Sequence, residues 1–348
     1  MPSEDAPSLR TRRLRIIESG ESASEPPNAF ALAVRAGLRS DPKTLPCRYF
    51  YDEQGSRLFE QICDLPEYYL TRTEDSILLD HAHTMVAGWI DAPVMVELGS
   101  GSSSKTRRLI LAALQTYRSL QYVPIDVSKT ILEESAEALV EEFPRLQVTG
   151  FAANYRDALA GVVERFDRPK LFVFLGSSLG NYEPDQAVDL LSLIARSMDP
   201  SDRLLLGTDL DKDPKILEAA YDDAQGVTAR FNLNLLERIN RELGGNFAVE
   251  RFEHQARYRN DLHRVEMHLV SREDQEVVIP GAGLTVKFSE GESIHSENSH
   301  KYNPAILDEL GNRSGFIEED AWTDADHRFR VQRWRSRSGQ SSHSRTEV

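Results

Sequence analysis

The stretch MVELGSGSSSKTRRLI, residues 95–110, decides the architecture. A short apolar run carrying one acid, Glu97, breaks into a Gly-Ser segment, and a helix-type pattern follows. This is how an open α/β sheet holds a ligand beyond the carboxyl end of a strand. Outward from it, strand-type runs recur at 93–98, 121–126, 145–151, 170–176 and 203–209. Helix-type segments such as SKTILEESAEALVEEF and EPDQAVDLLSLIARSM separate them. Strands alternating with helices of this length predict a parallel sheet covered on both faces. Gly99–Gly101, Asp126, Phe151 and Gly176–Asn181 all fall at the carboxyl ends of those strands.

The pattern changes between about 212 and 300. Helical stretches lead there to alternating runs at 263–271 and 283–290, which read as a helix-plus-antiparallel-sheet insertion. HRFRVQRWR, 327–335, is expected to return to the main sheet.

Lysine and arginine total 41 against 56 acids, a formal charge of −15, which argues against a nucleic-acid surface and favours a cationic or zwitterionic small molecule. No apolar run is long enough for a bilayer span, so no membrane association is expected. The two cysteines, Cys47 and Cys63, make no CxxC and point to a reducing cytoplasm. The polar N-terminal stretch lacks the apolar run of a secretory signal and reads as a flexible arm.

The loop selects among cofactors. The dinucleotide fingerprint G-x-G-x-x-G lacks its third glycine here, because Gly99-Ser-Gly101 is followed by serines. A phosphate loop needs a glycine before Lys105-Thr106, and there is none. What remains is E-x-G-x-G after a strand with Asp126 ending the next, the arrangement of S-adenosylmethionine-dependent methyltransferases. The glycines admit the cofactor to the backbone and Asp126 takes the ribose hydroxyls.

Further stretches carry a narrower resemblance: YFYDEQGSRLFEQICDLPEYYLTRTE (49–74), VELGSGSSSKTR (96–107), FLGSSLGNYEP (174–184), AYDDAQGVTARFNLNLLERINRELG (220–244) and SENSHKY (296–302). Together they resemble the histidine-specific N-α-methyltransferases of ergothioneine biosynthesis, over about residues 40–335. The resemblance implies a Rossmann-like methyltransferase sheet, 76–211 plus 303–335, with a second α+β substrate-binding domain, 40–75 plus 212–302. Residues 1–39 and 336–348 are left as flexible tails. It implies trimethylation of the α-amine of L-histidine to hercynine by a monomer, with S-adenosylmethionine as co-substrate and no metal.

Residue by residue, the resemblance places Tyr51 beside the amine as the catalytic group. Tyr68, Asn181 and Tyr221 line the amino-acid pocket, the last two as neutral donors to the carboxylate. Glu297 and Ser299 read the imidazole, with Met267 in the same pocket. Gly99, Gly101, Lys105, Asp126 and Gly176 hold the cofactor, and Phe151 brackets its adenine. Two other readings stay open: an N-methyltransferase for tryptophan or another amine, and a non-catalytic S-adenosylmethionine sensor. His81 and His83 diverge on a helix, and no cysteine or carboxylate set completes a zinc site around His295 and His300. Cys47 has no His–Asp arrangement beside it and reads as a packed thiol.

Overall fold

The computed structural model describes residues 13–18 and 28–337. Val94–Leu98 is a strand whose five residues are all buried, as a central parallel strand requires. The strands of the N-terminal part are β1 (Leu14–Glu18), β2 (Lys43–Thr44), β3 (Val94–Leu98), β4 (Leu120–Asp126), β5 (Leu146–Ala152), β6 (Lys170–Phe174) and β7 (Arg203–Asp209). After them come β8 (Phe252–Arg259), β9 (Arg264–Ser271), β10 (Gln275–Ile279), β11 (Leu284–Phe288), β12 (Ser293–His300), β13 (Phe316–Thr323) and β14 (Phe329–Ser336). The main sheet has the order β1-β5-β4-β3-β6-β7-β14-β13. β1 and β3 to β7 run parallel within it and β14 runs antiparallel between β7 and β13. This is a Rossmann-like sheet whose order reverses between β3 and β6. A ligand is therefore directed to the carboxyl ends of those two strands.

Both faces of the sheet are covered. The helices are α1 (Ala29–Arg39), α2 (Glu53–Cys63), α3 (Tyr69–Met85), α4 (Thr106–Thr116), α5 (Lys129–Glu142), α6 (Tyr155–Arg165), α7 (Pro184–Arg196), α8 (Pro214–Tyr221), α9 (Val227–Leu243) and α10 (Pro304–Ser314). Val94, Val96 and Leu98 pack with α6, α7 and α10. Met95, Tyr122 and Val173 point the other way, onto α3, α4 and α5. That second layer runs on without a break into Phe231 of α9 and Val265 and Met267 of β9. The smaller sheet, β2-β12-β9-β8, is thus joined to the main one by continuous apolar core.

Three expectations change. Leu14–Glu18 pairs in register with β5 and Ala29–Arg39 is a helix, so these parts of residues 1–39 are not a flexible arm. The β-branched run LRIIE extends the parallel edge, a signal too short to stand out in a polar segment. Residues 1–12 and 19–27 lie outside the described part. At the other end β14 takes in Ser336, and the tail from 338 onward also lies outside it. The boundary drawn at 75/76 falls inside α3, which is continuous from Tyr69 to Met85.

The segment YFYDEQGS is built to fix one residue. Cys47–Phe50 forms a 3₁₀ turn whose Phe50 ring packs on Phe231 at 4.7 Å. Asp52 then caps α2, accepting from Gly55 N at 2.7 Å and from Asn234 Nδ2 at 2.8 Å. Tyr51 sits between these two anchors. Gly55 passes so close to the Phe50 carbonyl that a Cβ would collide with that oxygen. Gly55→Ala should therefore lower stability by about 1–3 kcal/mol through overpacking. An unchanged urea midpoint would show that the turn gives way freely.

Candidate active site

At the end of β3 the chain turns through Gly99 and Gly101, both at positive φ (69° and 47°), where side chains are disfavoured. The loop is bound to the next strand: Gly99 N donates to Ile125 O at 2.9 Å and Gly101 N to Asp126 Oδ2 at 2.9 Å. Asp126 Oδ1 accepts from Ser128 N at 2.9 Å. Each carboxylate oxygen retains a lone pair, which is what two ribose hydroxyls require. Beneath the loop the buried Glu97 accepts from Thr106 Oγ1 and Tyr122 OH, joining β3, β4 and the start of α4. Burial pushes Glu97 up to about 7, against those hydrogen bonds.

Lys105 and Gly176 meet at one carboxylate. Glu74, fully buried on α3, accepts from Gly176 N at 2.8 Å and pairs with the Lys105 ammonium. Phe151 departs from its expected place. Its ring is 4% exposed and lies on Gly161 of α6, so the end of β5 offers backbone rather than an aromatic face. Tyr155, at the start of α6, points its hydroxyl at Gly99 instead.

The second group of residues gathers on and around the smaller sheet. Glu297 lies opposite Met267 and Ser299 opposite Val265 in the β9–β12 ladder, so all four share the face turned to the core. Ser299 Oγ and Tyr221 OH, the latter at the end of α8, are 2.6 Å apart. Tyr68, at the start of α3, packs edge-on to Tyr221 with ring centroids 6.1 Å apart. Tyr51 packs on Phe59 and Phe231 at 5.5 and 5.7 Å and is 41% exposed. Asn181 ends the 3₁₀ turn Ser178–Asn181, which packs against β12. Its entry residue Ser177 accepts from Asp209 N at 2.9 Å.

Desolvation, with Glu297 adding to it, holds the Tyr51 phenol well above its ordinary range. Tyr51 is therefore a neutral hydrogen-bonding group at physiological pH and not a phenolate base. Burial raises Glu297 to about 7, with Lys301 pulling in the opposite direction.

Behind these side chains stands a buried ionic cluster. Asp209, at the end of β7, accepts from Tyr69 OH at 2.9 and 2.8 Å, from Lys212 Nζ at 2.6 Å and from Lys301 Nζ at 2.9 Å. Asp209 and Lys301 are both fully buried. Burial lowers Lys212 to about 8, with Asp209 opposing. For Lys301, Asp209 and Tyr221 outweigh burial and leave its pKa raised. Sequence reading singles out none of Glu74, Asp209 or Lys301, because charged residues are ordinarily exposed and nothing local marks these as buried. Among the described residues, Glu266, His268 and His295 gather within 4.8 Å on the far face of the smaller sheet. Arg264 and His268 already bond the two Glu266 oxygens, and His295 Nε2 lies 3.1 Å from Glu297 O.

Among proteins of known activity, the histidine N-α-methyltransferase of Mycolicibacterium smegmatis is 41% identical over 88% of this chain and 94% of its own length. That of Mycobacterium tuberculosis is 42% identical over 84% and 90%. Ergothioneine biosynthesis protein 1 of Neurospora crassa is 29% identical over 82% of this chain, matching 32% of that longer protein. The family model described as histidine-specific methyltransferase, SAM-dependent, matches residues 30–336. With that match over most of its length and relatives 41% and 42% identical, the chain belongs to the S-adenosylmethionine-dependent, histidine-specific methyltransferase family.

Proposed function

We propose that the protein methylates the α-amino group of L-histidine three times with S-adenosylmethionine, giving hercynine as the first step of ergothioneine biosynthesis. The observation that carries the substrate is Glu297 and Ser299 side by side on the core-facing side of β12, across from Tyr51. An ionised carboxylate accepts one imidazole N–H and a hydroxyl donates to the other nitrogen, a pairing that an apolar side chain leaves unmade.

S-adenosylmethionine supplies a methyl group on a cationic sulfur, which the amine displaces in line. Asp126 and the backbone of Gly99–Gly101 fit its ribose, while Lys105, whose ammonium keeps donors beyond the one given to Glu74, fits its methionyl end beside Gly176. The protein's own task is to present an unprotonated amine in line and keep water out. A free α-amine is largely protonated near neutrality. A nearby positive charge lowers that pKa by repulsion, so no strong base is needed. Tyr51, held neutral, aligns the amine by hydrogen bonding. Asn181 and Tyr221 fix the carboxylate, and Tyr68 closes the apolar wall.

The test is turnover of a panel of amino acids with labelled cofactor. Histidine should be the preferred acceptor and take three methyl groups. Glu297→Ala should lower kcat/KM for histidine roughly 10–100-fold, one charge-assisted hydrogen bond, and narrow its advantage over tryptophan. An unchanged histidine-to-tryptophan ratio would place side-chain recognition elsewhere. Preference for another amine, or binding without turnover, would replace the reading.

Tyr51→Phe should reduce kcat far more than cofactor affinity, since the hydroxyl acts on the amine in the transition state. Calorimetry and single-turnover rates separate the two, and equal rates for all three methylations in variant and wild type would contradict the role.

The acid limb follows from Glu297. Its pKa is raised to about 7, so below that pH the carboxylate gains a proton and stops accepting the imidazole N–H. Histidine kcat/KM should therefore fall on acidification with a midpoint near 7. In Glu297→Gln the limb should move down toward the substrate's own imidazole value, about 6.5. Superimposable profiles would remove Glu297 from the acceptor role.

A further inference from the structure

Lys301 follows β12 directly, two residues beyond Ser299, and its side chain is fully buried. An ammonium has three donors and no acceptor. All three find oxygen here: Asp209 Oδ2 at 2.9 Å, Ser299 Oγ at 2.7 Å and Tyr221 OH at 3.0 Å. Both hydroxyls thus accept from the same cation, and each still owns one proton.

We propose that Lys301 is a positioning residue for substrate recognition: by donating to both hydroxyls it turns the Ser299 proton toward the bare imidazole nitrogen and the Tyr221 proton toward the substrate carboxylate. The inference rests on the histidine reading above. The amino acid's own atoms decide which direction is useful. A neutral imidazole has one unprotonated nitrogen and a carboxylate has none but acceptor atoms, so both need protons from the protein. Ser299 Oγ and Tyr221 OH, 2.6 Å apart with Lys301 present, bond one another, and without Lys301 that bond is all that satisfies either oxygen within the cluster. One proton is then spent between them and the pocket loses a donor. With Lys301 in place that mutual bond can open on binding while both oxygens remain satisfied.

The placement also suits the reaction. The cation lies one atom layer behind the hydroxyls and is countered by Asp209, so its charge reaches the substrate carboxylate through neutral O–H groups. Lys301 also sits 4.7 Å from the Tyr221 ring centroid, which holds that ring as well as its hydroxyl.

Lys301→Met tests the inference, because Asp209 keeps Tyr69 and Lys212 as partners and is not orphaned. Wild type is assayed first for histidine turnover, and its absence would remove the histidine reading and this inference together. Given turnover, Lys301→Met should raise histidine KM about 10–100-fold with kcat within about threefold, as lost uniform binding predicts. Cofactor affinity by calorimetry should be unchanged.

The discriminating measurement combines Lys301→Met with Ser299→Ala and, separately, with Tyr221→Phe. If the lysine acts through these hydroxyls, each double variant should bind histidine only slightly worse than the worse single variant. Penalties that multiply, a histidine KM left unchanged, or a joint loss of kcat and cofactor affinity would overturn the proposal. Should the methionine variant fail to fold, Lys301→Gln, which keeps an N–H donor, carries the same cycle with a smaller KM increase and the same two outcomes.

Discussion

The carboxylate of Asp209 is the point on which the site depends. It ends β7 of the main sheet, yet its partners come from α3 through Tyr69, from the chain entering α8 through Lys212, and from the end of β12 through Lys301. Removing the carboxylate from such a buried set leaves the lysines uncompensated and costs about 3–5 kcal/mol, more than a typical surface pair contributes. The cluster joins two sheets whose apolar core is continuous beneath it. It also requires them to meet in one register, since a slip would strand a charge in a water-poor interior.

α3 carries that register into the cofactor cradle. One helix presents Tyr68 to Tyr221, Tyr69 to Asp209 and Glu74 to the Gly176 amide and Lys105. The expectation that neutral donors meet the substrate carboxylate is compatible with the cation found behind them. A lysine in direct contact would set positive charge beside a sulfonium and a growing ammonium, whereas Lys301 is screened by Asp209 and acts through hydroxyls.

The main sheet was legible because its central strands are buried on both faces and read as unbroken apolar runs, Val94–Leu98 most clearly. The smaller sheet was only half legible. β9 shows its alternation, but β12, SIHSENSH, and β8, FEHQARYR, are polar along nearly their whole length. In β12 the inward positions hold Glu297 and Ser299, so the hydrophobic signal of a strand is absent where polar side chains stand in for core. The same holds for the site. The glycine loop and Asp126 follow from local pattern and strand order. The pocket came from motif resemblance. Glu74, Asp209 and Lys301 are joined across 102, 140 and 80 residues of sequence to the groups they serve, and no local pattern announces such pairings. Phe151 illustrates the reverse error: its position at a strand end was right, but the absence of a side chain at Gly161 lets its ring turn inward.

The turn that holds Tyr51 between Phe50 and Asp52 has a wider consequence. Its anchors, Phe231 and Asn234, both belong to α9, and none of them belongs to β12. On the proposed function, Tyr51, which lines up the nitrogen, and Glu297 and Ser299, which inspect the side chain, are thus mounted on different elements. On that reading, changes in β12 alter which amino acid is admitted while the transfer geometry stays as it was. A scaffold divided in this way can diversify its acceptors by a few substitutions in one strand, without rebuilding its chemistry each time.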